Sequence, residues 1–274
     1  MKFPISNPQS QTRSKFQLSI VAVRAARTSR KSAFGIWRLV FVWILGLGIC
    51  SPGLAAESTA ADKRPFVPST KYATTRVAGW TVRVNRALLT TQATLGSNAL
   101  ALLAVKLREV TNTVPPRAGA ALQRVPIWLG VDDGHAPCAE YHPSKDWLVH
   151  NGYNPDKAKC VEIGNAQKFI EWTPRQPMML LHELAHAYHD QVLGFDDARI
   201  RLAFENAKSA RRYENVERNN GRTERAYALT DHKEYFAEAS EAFFGTNDFY
   251  PFTREDLRKH DRGMDELLKE VWAR

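Results

Sequence analysis

His182-Glu183-Leu184-Ala185-His186 combines the residue types and spacing of a hydrolytic metal site. On an α-helix, residues four apart share a face, so the two imidazoles can converge on one cation. Glu183 sits about 100° round the helix from His182, poorly placed to join the same ligand set but within reach of a water at the metal, where a carboxylate serves as general base. From Met178 to Ala187 the motif supplies the only charged or titratable side chains, and Met179, Leu180, Leu181, Leu184 and Ala187 are apolar, as a buried helix requires. The bland reading is a core helix whose histidines bond internally. It leaves two imidazoles and a carboxylate among leucines, at a desolvation cost of a few kcal/mol that coordination removes.

A catalytic zinc takes three protein ligands and leaves the fourth position to water. Downstream, Glu234-Tyr235-Phe236-Ala237-Glu238 opens a helical stretch with Asp231 as N-cap and Gly245 as stop. Glu234 and Glu238 share a face, so one can bind metal while the other receives the spare N–H of a ligating histidine. A capping box between Asp231 and Glu234 is the structural alternative. Tyr227 stands seven residues before Glu234; its phenol could donate to an oxyanion formed at the metal, or simply pack in the core.

HELAH, then Tyr227, then Glu234-Tyr235-Phe236-Ala237-Glu238 resembles the gluzincin metallopeptidases, and within them the anthrax lethal factor-like and Pro-Pro endopeptidase group. The likeness covers roughly residues 176 to 245. It implies His182, His186 and Glu234 on one zinc ion, Glu183 as base, Tyr227 assisting the oxyanion, Glu238 behind the ligands, and an α+β zincin-like domain. The chain departs from the thermolysin pattern in having Glu238, not Asp, four residues after the third ligand, and it is too short for a toxin's further domains.

These residues need elements to hold them. Thr173-Pro174 predicts the start of the HELAH helix and Gly194 its stop. Val77 to Leu88 reads as a strand, Ala93 to Val110 as a long amphipathic helix, and Val125 to Val131 as a second strand. By the resemblance, residues 127–131 would form the sheet edge that holds a peptide. Ala136 to Asp156 reads as a loop anchored by Trp147 and Tyr153, where His135, His142 and His150 lack ligand spacing and read as solvated or hydrogen-bonded. Val161 to Ile163 is a short strand, and Ala166 to Trp172 and Asp196 to Ala210 are helices. Asn219-Asn220-Gly221 marks a hairpin between Tyr213 and Tyr227, rich in Arg and Glu as a solvated surface is, and Asn247 to Trp272 reads as a C-terminal cover.

Residues 1–56 hold eight Lys or Arg and no acid, an apolar run from Leu39 to Ile49, and a small-residue end at Ala55-Ala56, the pattern of a secretory leader with a long basic region. Expected organisation is therefore a leader over 1–56, a flexible linker over 57–75 and one catalytic domain over 76–274, secreted or periplasmic, with an uncleaved leader acting as membrane anchor as the alternative. Without the leader, Lys plus Arg falls from 38 to 30 against 29 acidic residues, so the net charge drops from +9 to +1. The basic balance thus implies no nucleic-acid partner, and the DNA-acting HExxH proteases are disfavoured. Cys138 and Cys160, an even pair in an exported chain, suggest a disulfide contributing about 3 kcal/mol. The expectation is a monomeric zinc peptidase acting on a peptide or protein, with no stable membrane association once the leader is removed. A zinc amidase acting on cell-wall peptide, or a silent zincin-fold binding or inhibitory domain, are the rivals.

Overall fold

Trp80, Val82 and Val84 alternate with Thr81, Arg83 and Asn85, the two-residue period of a strand with one face in the core, and all three apolar side chains are fully buried. The computed structural model describes residues 65–273 except 133, 135 and 137. In it this segment is β2 (Trp80–Asn85), preceded by a separate strand β1 (Tyr72–Val77). The two pair antiparallel through a turn at Ala78 and Gly79, with φ of 47° and 93°. Two consecutive positive φ values make the mirror-image turn that suits strand twist, and an alanine in its first position hides that turn from a sequence reading.

The leader expected over 1–56 lies outside the described residues, as does 57–64. The expected linker does not continue to 75: Ser69–Lys71 forms a 3-10 turn, β1 begins at Tyr72, and Asn154 Nδ2 donates to the Val67 carbonyl at 3.0 Å. After β2, α1 (Ala93–Thr113) buries Ala99, Leu103, Leu107 and Val110 at helical spacing. Its first turn crosses the turn Arg86–Leu89 so closely that a Cβ on Gly96 would lie 1.9 Å from the Leu88 carbonyl oxygen. Helix α2 (Pro116–Leu122) follows, with proline in the first turn where its missing N–H costs nothing.

β3 (Ile127–Leu129), β4 (Ala139–Tyr141) and β5 (Val161–Ile163) complete a mixed five-stranded sheet in the order β1-β2-β3-β5-β4. β2, β3 and β5 run parallel, while β1 and β4 are antiparallel to their neighbours. β3 is therefore interior, bonded on both sides, and residues 127–131 are not the edge that the sequence reading assigned. The edge beside the HELAH helix is β4. Val82, Val84, Ile127, Leu129, Val161 and Ile163 share the face turned to the apolar core, and Arg83, Trp128, Glu140 and Glu162 share the other.

β4 and α3 (Lys145–His150) occupy much of the stretch expected as loop, although Trp147 and Tyr153 do pack together at 5.2 Å between centroids. His142 is not solvated: it is buried, with Nε2 2.7 Å from Glu162 Oε2, and Lys157 bonds the other oxygen of Glu162. The expected Cys138–Cys160 disulfide is absent, and the register explains why. Antiparallel pairing sets Tyr141 opposite Val161, so Cys138 lies at one end of the ladder, its carbonyl accepting from Gly164, and Cys160 at the other, accepting from His142. Four residues of extended chain, about 13 Å, part the two buried free thiols, well beyond disulfide reach.

The remaining elements are helical: α4 (Ala166–Trp172), α5 (Met179–Tyr188), α6 (Ala198–Ser209), α7 (His232–Phe244), α8 (Arg254–His260) and α9 (Arg262–Trp272), with the hairpin β6 (Val216–Glu217) and β7 (Thr223–Glu224) before α7. The hairpin turns at Asn219-Asn220-Gly221, but its paired arms are two residues each. At the end of α9, Trp272 stacks on Tyr188 at 4.3 Å and on Phe236 at 5.8 Å, and its Nε1 donates to Ser240 Oγ, closing the core behind α5 and α7. The architecture is α+β. Among the described residues, no helix is long and apolar enough to cross a membrane.

Candidate metal centre

α5 carries HELAH and buries nearly every side chain it has. Its start differs from the sequence reading. Thr173 ends α4, its hydroxyl donating back to the Phe169 carbonyl, and the chain turns through Arg175 and Gln176, both bonded to the Trp172 carbonyl, before α5 begins at Met179 without a side-chain cap. The helix then widens into a π turn over His189–Leu193 and ends at Gly194, whose φ of 84° suits glycine. α7 packs against α5, and Gly245 at its end leaves room for Met178, whose sulfur would lie 2.5 Å from an added Cβ.

Asp231 caps α7, accepting from the amides of Lys233 and Glu234. The Glu234 side chain itself turns inward to the histidines. Capping and ligand placement thus coexist: the backbone of Glu234 is capped while its carboxylate meets the imidazoles. His182 Nε2 lies 3.1 Å from Glu234 Oε2 and 3.1 Å from His186 Nε2, and His186 Nε2 lies 3.4 Å from Glu234 Oε2. A tetrahedral ion with bonds near 2.0–2.1 Å has ligand–ligand edges of about 3.4 Å. All three side chains are buried.

The hydrogen-bond roles point the same way. His182 Nδ1 lies 2.7 Å from Glu241 Oε1. When that carboxylate is ionised it can only accept, so Nδ1 carries the proton and a neutral His182 presents a lone pair at Nε2. In the tautomer of His186 that also leaves Nε2 unprotonated, three acceptors face one another, an arrangement that favours positive charge between them. Burial disfavours a proton on His182, yet the Glu234 and Glu241 carboxylates bonded to its ring overcome this and hold its pKa well above the ordinary value. Burial likewise pushes Glu234 up, and the neighbouring imidazoles overcome it and hold the carboxyl well below the usual range. A proton on His182 can supply positive charge here, and so can a metal ion, for which two imidazoles and a carboxylate are a suitable donor set.

Glu183 is half-buried, and its Oε2 accepts from the Tyr141 backbone N–H of β4 at 2.7 Å. Burial raises its pKa, against the lowering effect of His182 and His186, which moves the carboxylate towards the range useful to a base at neutral pH. Tyr227 begins the 3-10 turn Tyr227–Leu229 packed against α7. Its phenol is raised by burial and by Glu234, Glu183 and Glu238, so it stays protonated as a donor and lies within electrostatic reach of the site.

Glu238 lies behind the ligands, with a carboxylate oxygen within 4.8 Å of a His182 ring nitrogen and of Glu241, but the hydrogen bond to His182 belongs to Glu241. The Glu238 carboxylate accepts from Asn247 Nδ2 at 3.1 Å, and burial with Glu241 and Asp248 nearby keeps its pKa well above the ordinary value. The sequence reading missed Glu241 although it lies seven positions after Glu234 and hence on the same helix face. Comparisons with protein-family models, with curated proteins and with solved structures find no match to this chain.

Proposed function

We propose that this chain is an exported zinc metallopeptidase of gluzincin type, with a zincin-like arrangement of α5 and α7 beneath the sheet. The observation that carries the reading is the meeting of His182, His186 and Glu234 in a triangle of 3.1 to 3.4 Å edges, beside an acid, Glu183, that belongs to none of those contacts. Zinc bound there would polarise a scissile carbonyl and acidify a water. Glu183 would take the proton from the attacking water and pass it to the leaving amine. The Tyr227 phenol would donate to the developing oxyanion of the substrate, and Glu241 would hold His182 in the tautomer whose Nε2 is free to ligate. A base is of no use to a silent binding domain, so its presence favours an enzyme.

The test is Glu183→Gln. The variant should retain one zinc per chain and lose cleavage of casein and of a mixed peptide library; cleavage at the parent's rate would overturn the proposal.

A further inference from the structure

β4 is three residues long, bonded to β5 on one side and, among the described residues, to no strand on the other. So short an edge strand has little of its own to fix its position against α5, yet the amide that holds Glu183 belongs to it. Tyr141 makes a second attachment. Its phenol donates to Asp190 Oδ2 at 2.6 Å and accepts from Gln191 Nε2 at 3.0 Å, while Lys159 Nζ, from the segment leading into β5, reaches the same Asp190 oxygen. Gln191 Nε2 also lies 3.3 Å from the Lys159 carbonyl. Asp190 and Gln191 lie on the π turn that extends the HELAH helix, where the wider turn alters the direction of the side chains. Glu183 and Asp190 are seven residues apart, about 10 Å along a helix axis, and Tyr141 bridges them from backbone to phenol.

We propose that Tyr141 and Asp190 form a clamp whose function is to position Glu183, so that Tyr141 is a positioning residue for the reaction. This deepens the peptidase reading and rests on it for its kinetic consequence. The two attachments share one residue, so a strand released at the phenol end shifts at the amide end too. A displacement of the order of 1 Å at a reacting group is enough to cost up to a hundredfold in rate.

The experiment compares Tyr141→Phe, Asp190→Asn and the double variant of the mature chain loaded with zinc. Each single variant should bind one zinc with parental affinity, lose about tenfold to a hundredfold in kcat at a KM within about twofold, and the double variant should fall well short of the product of the two losses, because both weaken the Tyr141–Asp190 bond. Hydrogen exchange at the Tyr141 amide supplies a readout independent of activity: it should accelerate at least about tenfold in Tyr141→Phe, in Asp190→Asn and in Glu183→Ala alike. Parental exchange at that amide in the two clamp variants, or multiplicative kcat losses in the double, would overturn the clamp. A parent chain without peptidase activity would overturn the functional reading, and the exchange arm would still decide the clamp.

Discussion

Two buried histidine–glutamate clusters lie on opposite sides of this molecule's sheet architecture, and their chemistry differs. On the outer sheet face, His142, Glu162 and Lys157 form a set with its own cation: the lysine supplies the positive charge and the glutamate accepts from both neighbours, with Glu140 3.8 Å from the other ring nitrogen of His142. Between α5 and α7, His182, His186 and Glu234 form an open set, with acceptors converging and no lysine or arginine among them. Similar residue types at similar burial thus carry their own cation in one place and could hold a metal ion in the other. The distinguishing property is whether the charges close internally, which spacing alone does not reveal. A fourth buried histidine, His189, has neither arrangement. Both ring nitrogens lack a hydrogen-bond partner among the described residues, and Phe195, Phe236 and His232 surround the ring.

The largest expected contrast is kinetic. Glu183→Gln should reduce kcat by about a thousandfold or more while leaving metal content unchanged, read by peptide cleavage beside elemental analysis. In the His142–Glu162 cluster, Lys157→Met removes the buried cation that pairs with Glu162 and should destabilise the fold by about 3–5 kcal/mol in chemical denaturation. Zinc stoichiometry of the folded fraction should not move. If Lys157→Met lost zinc instead, the separation of the two clusters would be wrong.

His189 sharpens the comparison through pH. Burial holds its pKa down at about 3 from an ordinary 6.5. Above 6.5 it is neutral folded or unfolded and contributes no pH dependence; between 6.5 and 3 the unfolded chain takes up a proton that the folded chain refuses. Stability should therefore fall as pH drops through that window, by up to about 5 kcal/mol from this residue. His189→Leu should flatten the slope in denaturation measured between pH 7 and 4, and an unchanged slope would show that the residue titrates normally. A smaller effect is expected from Glu241→Gln, which keeps the shape but weakens acceptance from His182: zinc affinity should fall about tenfold to a hundredfold by competition with a chelator, with one ion still bound at saturation. Smallest of all, reductant should leave the unfolding midpoint unmoved, because Cys138 and Cys160 share no bond.

Features set by local spacing were legible in the residues. Asp231 as the cap of α7, α4 over Ala166–Trp172 and β5 over Val161–Ile163 follow from neighbours within a turn or two, and so does the placement of His182 and His186 on one helix face. What escaped depends on pairing between distant segments. The β4–β5 register parts the two cysteines, and strand order puts residues 127–129 inside the sheet and β4 at its edge. Ala78 concealed a turn because its positive φ is forced by the hairpin rather than preferred by the residue. Glu241 was overlooked in favour of Glu238 although both face the α5 side, since only the packed helices show which carboxylate meets His182 Nδ1.

The most direct test is elemental analysis of the purified chain beside its Glu234→Ala variant, both checked for folding by circular dichroism. The account predicts one zinc per folded parent chain and a loss of at least about a hundredfold in affinity in the variant. A parent that binds no divalent ion, or a folded variant that holds zinc as tightly as the parent, would contradict it.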